Sequence, residues 1–481
     1  MKRYVAPRGT GDVGPAIPRA DHVRLPREQT RRGRDDCSLF GTFAVARSCD
    51  RTLGEPGVFP LEAQVNRPAR CDAYVLQAWM TVFAVEHPFT DSAGVFEPRC
   101  DLDLAESVLM AVAQEAPEDD EDFSAQRPVP QQAAEGALLG VSVDGKGVPM
   151  ITAAVVTLKA TLGRGAKRQT KKEALVGVSS TVDPTPRSPE ALAERLVDPE
   201  AARARRQRED TSDDAPSAPQ VRRLASVVRT TQAVMERIRA DAERRDPQHR
   251  TPVVVRLDGA LGLWSLVPQL FKPWTRVTCV LDIMPVVGDL WSAANALFGA
   301  PSKAGQPWVQ QQLTTLLRGR VGAVIGSWRP ILTTRQLRKS VRETLTKVIT
   351  CFHNHRRWMP YDVYLAAGLP VGTGVVESAC GAVVKPRMAG EGQRWSLKGA
   401  EAMLAWRSLK KSHDHDLRDD WRFRAHQGRA RLSGRQPKYQ PTARLRRVAS
   451  LNSNRLRSRR IACSRSGSAE SASAHTWGST A

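Results

Sequence analysis

Eight cysteines occur in the 481 residues, and no two of them form a C-x-x-C pair: Cys37, Cys49, Cys71, Cys100, Cys279, Cys351, Cys380 and Cys463 are scattered singly. That spacing argues against a zinc ribbon and against a disulfide framework, and it fits reduced thiols. No stretch approaches the roughly 18 uninterrupted apolar residues of a membrane span. Residues 1–10 are basic but lack the apolar core of a secretory signal, so a cytoplasmic protein with no membrane partner is expected. Acidic residues are also in short supply, 50 Asp and Glu against 72 Lys and Arg, a formal net charge of +22. Such an excess favours a polyanionic partner over an acidic small molecule, and nucleic acid comes first.

The excess is uneven. Between Ser378 and Arg460 there are 21 Lys and Arg against 6 Asp and Glu, the clustering expected of a surface that tracks phosphates. Beyond residue 440 a solvated, partly disordered basic tail is the alternative reading. Residues 385–411 are too apolar to be a tail.

Residues 1–114 are punctuated by Gly, Pro and Arg, and only 102–113 reads as a helix. No chemistry is assigned there. Residues 115–135, acidic and rich in Pro and Gln, read as a solvated linker. Strand-like runs follow at 138–143, 150–159 and 174–182, then a charged helical stretch at 189–245 broken near 211–219. A strand at 253–257, a helix at 261–271 and a strand at 276–281 complete a first core part at 136–285. The order β-β-β-α-β-α-β is that of an α/β, RNase H-like core with a mixed five-stranded sheet. By analogy with that fold, its first and fourth strands are neighbours. Residues 286–367 read as a helical insertion, with Trp291, Trp308, Trp328 and Trp358 spaced through it. A last segment at 368–425 and a basic tail at 426–481, expected to be disordered, close the chain.

Two strands end alike, Val-Ser-Val-Asp144-Gly and Val-Arg-Leu-Asp258-Gly. Alone, strand–Asp–Gly is a turn signal. On neighbouring strands, paired carboxylates supply the hard oxygen ligands that two Mg²⁺ or Mn²⁺ ions need, with positions left open for phosphate and water. Glu377, after Gly372-Thr373-Gly374 at the start of an apolar helix, is the third carboxylate, although capping or a helix-dipole role would also place it there. Asp282 also ends a strand and is the alternative second ligand; Asp258 is preferred because its strand comes fourth. Lys385, Arg387, Arg394, Trp395 and Lys398 alternate with apolar residues and could contact DNA phosphates or stack on a base, unless Trp395 is simply core and the charges are solvated. His353-Asn354-His355 has the letters of a nuclease label but lies in a helical run, and His413-Asp414-His415-Asp416 reads as an exposed turn.

The stretch GLPVGTGVVESACGAVVKPRMAGEGQRWSLKGAEAMLAWRSLK, with VSVDGKGV and VVVRLDGALGLWSLVPQLFKPWTRVTCVLDI upstream, resembles the ISKra-type insertion-sequence transposases, relatives of the Mutator-like DDE group, over about residues 135–425. The resemblance implies a bacterial DNA transposase whose metal-binding triad is Asp144, Asp258 and Glu377. It would cut at the element's terminal inverted repeats and join the 3′-hydroxyls to target DNA, assembled as a homo-oligomer. Similar transposases carry Asp-x-x-His or Cys-x-x-His after the fifth strand; here that position reads Asp282-Ile283-Met284-Pro285, without the histidine. A decayed copy that binds DNA without cutting is therefore the rival expectation, and a host nuclease of the same superfamily a third.

Overall fold

A computed structural model describes residues 6–18, 24–54, 57–68, 70–115, 120–130, 135–151, 170–200, 220–259, 261–299, 304–334, 336–372, 374–390, 392–412 and 420–427. All lie in the first of two units into which the chain divides, Met1–Gln436 and Pro437–Ala481. The HDHD motif and the basic tail beyond residue 427 fall outside the described residues.

Near the N-terminus, short strands β1 (Ala16–Pro18) and β2 (Arg24–Pro26) pair antiparallel, as do β3 (Arg32–Ser38) and β4 (Gly41–Arg47). Alternation puts Phe43 and Val45 inward against Leu61. Two helices follow that matter later, Tyr74–Ala84 and Glu106–Gln114. The first escapes a reading that sees only the punctuation around it, yet Leu76, Met80 and Ala84 recur at helical spacing and are buried. Within the acidic segment expected to be a solvated linker, Asp120–Gln126 is helical and Phe123 is buried, edge-on to Phe423 at 5.5 Å.

The sheet is built from β5 (Leu138–Pro149), β6 (Lys171–Val182), β7 (Gln220–Ser226), β8 (Val253–Leu257) and β9 (Val277–Leu281), in the spatial order β7-β6-β5-β8-β9. The first three are an antiparallel meander; β8 and β9 run parallel to β5. This is the α/β, RNase H-like order, with the first and fourth strands side by side. The expected strand content needs one correction. The third strand is β7, inside the stretch read as helical, and most of the 150–159 run lies outside the described residues. Arg222 and Arg223 disguised β7: they interrupt its apolar alternation because their guanidinium groups reach Asp241 and the carbonyl of Lys411.

One sheet face carries Val141, Val143, Val253, Val255 and Leu257 into the main core. The helix Thr231–Arg245 packs on this face so closely that a Cβ on Gly177 would force the Ile238 side chain to shift. The insertion supplies the helices Ile283–Phe298, Gly305–Leu317, Val321–Thr334, Lys339–His355 and Tyr361–Ala366 to the same core, with Trp308 stacked on Trp328 at 5.2 Å. The opposite face carries Ser142, Ser180 and the buried Arg256 under the C-terminal helices.

Candidate active edge

Register brings three aspartates to one end of the parallel part of the sheet. Val143 pairs with Leu257, and Leu257 pairs with Leu281, all in parallel strands. One residue on, Asp144, Asp258 and Asp282 therefore follow one another across three adjacent strands at one edge of the sheet. Parallel register thus places the three residues side by side at this end of the sheet. The amide of Asp282 donates to the carbonyl of Leu257 at 2.9 Å, which locks the last step of that register.

Asp144 is half-buried and accepts from the amide of Gly145 at 2.7 Å. Asp282 is buried and serves as the N-cap of the helix Ile283–Phe298, its Oδ1 accepting from the amide of Met284 at 3.1 Å. Pro285 sits in the first turn of that helix, where its missing N–H costs nothing. The fold tolerates the proline; the position still offers no imidazole.

Glu377 lies on the short helix Gly374–Ala379, which leads directly into a π-helical turn at Cys380–Val384 and then Lys385–Met388. Its carboxyl is held above the usual range, first because neighbouring protein excludes water from it, and then by the charges of Asp282 and Asp144. Cys380, three residues on and buried, approaches Asp144 Oδ2 with Sγ at 3.5 Å. Burial, with the Asp144 charge behind it, pushes the Cys380 thiol up to about 12. The π-turn has a physical cause. Pro386 cannot donate to the turn before it, and the buried Arg407 takes the carbonyls of Ala382 and Val383.

Arg256, missed by a reading that looked for carboxylates, lies two residues before Asp258 on the same face of β8. It is wholly buried, and its Nη1 donates to the carbonyl of Gly372 at 3.0 Å, in the loop that precedes Glu377. Among the described residues, its Nε and Nη2 find no hydrogen-bond partner. Burial holds its guanidinium down to about 10, partly offset by the charge of Asp282. The signal was present: a lone arginine in the apolar run Val253-Val254-Val255-Arg256-Leu257 needs a buried partner.

Among the described residues, no three His, Cys, Asp or Glu side chains form a ready metal cage. The donor chemistry nonetheless suits a hard divalent cation. The charges of Asp282 and Asp144 raise the cost of ionising Glu377, and a cation beside it would lower that cost.

The basic residues divide. Lys385, Arg394 and Lys398 are exposed. Arg387 and Trp395 are buried: the guanidinium lies 4.8 Å from the Trp395 ring and 5.0 Å from that of Phe89, and its Nε donates to the carbonyl of Ala84 at 3.1 Å. The Trp395 backbone extends β5, its amide donating to Pro149 and its carbonyl accepting from Ile151. These two are packing residues, and their expected contact with DNA is withdrawn for that reason. Among the described residues, no helix is long and apolar enough to cross a membrane.

No family model matches this chain, and no curated protein matches it. Among solved structures, one similar chain belongs to the Drosophila P element transposase strand transfer complex, at 7% identity. The alignment covers 69% of this chain and 91% of that one, with a TM-score of 0.31. A similarity of that strength carries no weight for function.

Proposed function

We propose that the chain is a DDE-type DNA transposase of an insertion sequence, cutting phosphodiester bonds at the element's ends and transferring the 3′-hydroxyl strands to target DNA. The observation that supports this best is the edge itself: Asp144 follows the last parallel pair of β5 with β8, Asp258 directly follows β8, and the chain returns after the helical insertion to bring Glu377 near enough to feel the charge of Asp144. Asp144, Asp258 and Glu377 would hold Mg²⁺ or Mn²⁺, with Asp282 as the alternative to Asp258. Such ions, when bound, supply charge neutralisation at the phosphate and a more acidic attacking water or hydroxyl.

The remaining work falls to the chain's own groups. Arg256 ties the Gly372 loop, and through it Glu377, to the strand that carries Asp258. Cys380 donates its thiol to the Asp144 carboxylate at 3.5 Å. Exposed Lys385, Arg394 and Lys398 lie on the segment that follows Glu377, where they can meet DNA phosphates. The ISKra-type affiliation, a homo-oligomer on paired ends, a cytoplasmic location and the division of the chain at residues 114, 135, 285, 367 and 425 belong to the same reading.

Pro285 favours a second reading, a decayed copy that binds DNA without cutting it. One assay separates them: a labelled duplex carrying the element's terminal repeat, with Mg²⁺ or Mn²⁺, incubated with the wild type, Asp144→Ala or Pro285→His. Nicking at the repeat boundary that Asp144→Ala abolishes supports the enzyme. Activity in Pro285→His alone supports the decayed copy, and no cleavage by either sinks the transposase reading.

A further inference from the structure

The segment that closes the helical insertion holds both strand ends that compete for the second carboxylate. His355, the last residue of the helix Lys339–His355, is buried, with Nε2 3.0 Å from the carbonyl oxygen of Gly259. Its Nδ1 faces the carbonyl of Cys351 one turn back at 2.7 Å, which fixes the ring plane. Three residues later Trp358 stacks on Trp264 at 4.1 Å, and Trp264 belongs to the helix Leu261–Leu270 that starts just after the Asp258-Gly259 turn. Tyr361, fully buried, donates its hydroxyl to the carbonyl of Leu281 at 3.0 Å, and Tyr364 does the same for Cys279 at 2.9 Å.

Strand β9 is the last of the sheet on this side, so the carbonyls of Cys279 and Leu281 that face outward have no further strand to bond. Left unpaired away from water, each would be destabilising. The two phenols satisfy them and at the same time set where β9 ends. Burial raises the Tyr361 hydroxyl well above its ordinary range, so it remains a donor at any working pH.

We propose that residues 355–364 form a positioning clamp, with His355 and Tyr361 as its positioning residues: His355 anchors the turn after Asp258, and Tyr361 anchors the strand end before Asp282. The clamp keeps those two carboxylates in line with Asp144. It also gives the helical insertion a mechanical part in the edge, because the insertion's last residues bear directly on it. An imidazole absent at position 285 thus reaches this edge from another helix, acting on backbone and not on substrate. The proposal rests on reading Asp144, Asp258 and Asp282 as the active edge.

The test uses the full chain as wild type, His355→Leu, His355→Gln and Tyr361→Phe. Hydrogen exchange is the first readout. In His355→Leu, amides of 256–264 should exchange at least about tenfold faster while those of 140–143 stay unchanged. Glutamine, whose amide can still donate, should restore most of the protection, and Tyr361→Phe should loosen 279–284. Unchanged exchange at 256–264, or acceleration spread equally over β5, overturns the clamp. Calorimetric titration with Mn²⁺ is the second readout, with Asp144→Ala as baseline. Loss of an outer partner of a metal ligand costs roughly 10–100-fold in affinity. His355→Leu should therefore weaken the Asp144-dependent binding by about that much; binding equal to wild type refutes the positioning role. If the wild type shows no Asp144-dependent binding while the exchange result holds, the transposase reading falls and the clamp stands.

Discussion

Replacing Arg256 by methionine should separate stability from activity. Among the described residues, buried Arg256 makes one hydrogen bond, from Nη1 to Gly372, and two of its nitrogens have no partner. Burial holds its guanidinium down to about 10, a departure from the ordinary value equivalent to roughly 3 kcal/mol at about 1.4 kcal/mol per pH unit. The sign matters. The unfolded chain binds this proton more tightly than the folded one, so the cost is fully present below pH 10, including at any assay pH, and fades only as pH rises through 10 and beyond. Methionine fills similar volume and removes that cost. It leaves the Gly372 carbonyl without its donor, about 1–3 kcal/mol, and takes the cation away from Asp282. The two sides nearly cancel, so Arg256→Met should fall within about 1 kcal/mol of wild type in urea unfolding at pH 7.5. Cleavage of the terminal-repeat duplex should nevertheless drop by about 100-fold or more, because the loop leading to Glu377 is no longer tied to the Asp258 strand; a misplacement near 1 Å is enough for such a loss. Arg256→Lys keeps the charge and should keep part of the activity. A stability loss above about 3 kcal/mol, or cleavage at the wild-type rate, would refute this account.

Glu377→Gln should stabilise the protein at pH 8 and not at pH 4. The Glu377 carboxyl is raised by lost hydration and by Asp282 and Asp144, so the folded state resists its ionisation; that penalty is present above the folded value and gone below the unfolded one, near 4.5. Urea midpoints of both variants at the two pH values check the sign, and a gain that persists at pH 4 is the wrong answer. Trp395→Ala should cost about 3–5 kcal/mol in stability, since the buried ring packs against Arg387 and Phe89, whereas Lys398→Ala should leave stability alone and lower the salt dependence of DNA binding by about one phosphate contact. Thermal melts alongside binding titrations at several salt concentrations distinguish the two; equal effects on both would contradict the division into buried and exposed residues.

Alternation and punctuation in the sequence were enough to find four of the five sheet strands at least in part, because Val-rich runs ending in Asp-Gly are local patterns that need no partner to be seen. They also singled out Asp144, Asp258, Asp282 and Glu377 as candidates, since a carboxylate beside an apolar run stands out by chemistry alone. The helical insertion was readable for the same reason, its apolar period being internal to each helix. Strand β7 was hidden because its two arginines are satisfied by groups elsewhere in the chain, Asp241 and Lys411. Only the folded chain decided that Arg387 and Trp395 are core, because the aromatic partner Phe89 lies some 300 residues upstream of both. The same holds for Arg256 on Gly372, His355 on Gly259 and Tyr361 on Leu281. Each of these bonds joins residues about 80 to 116 positions apart. Composition can mark such a group as needing a partner, but which partner it meets is set by packing and register, and those exist only in three dimensions.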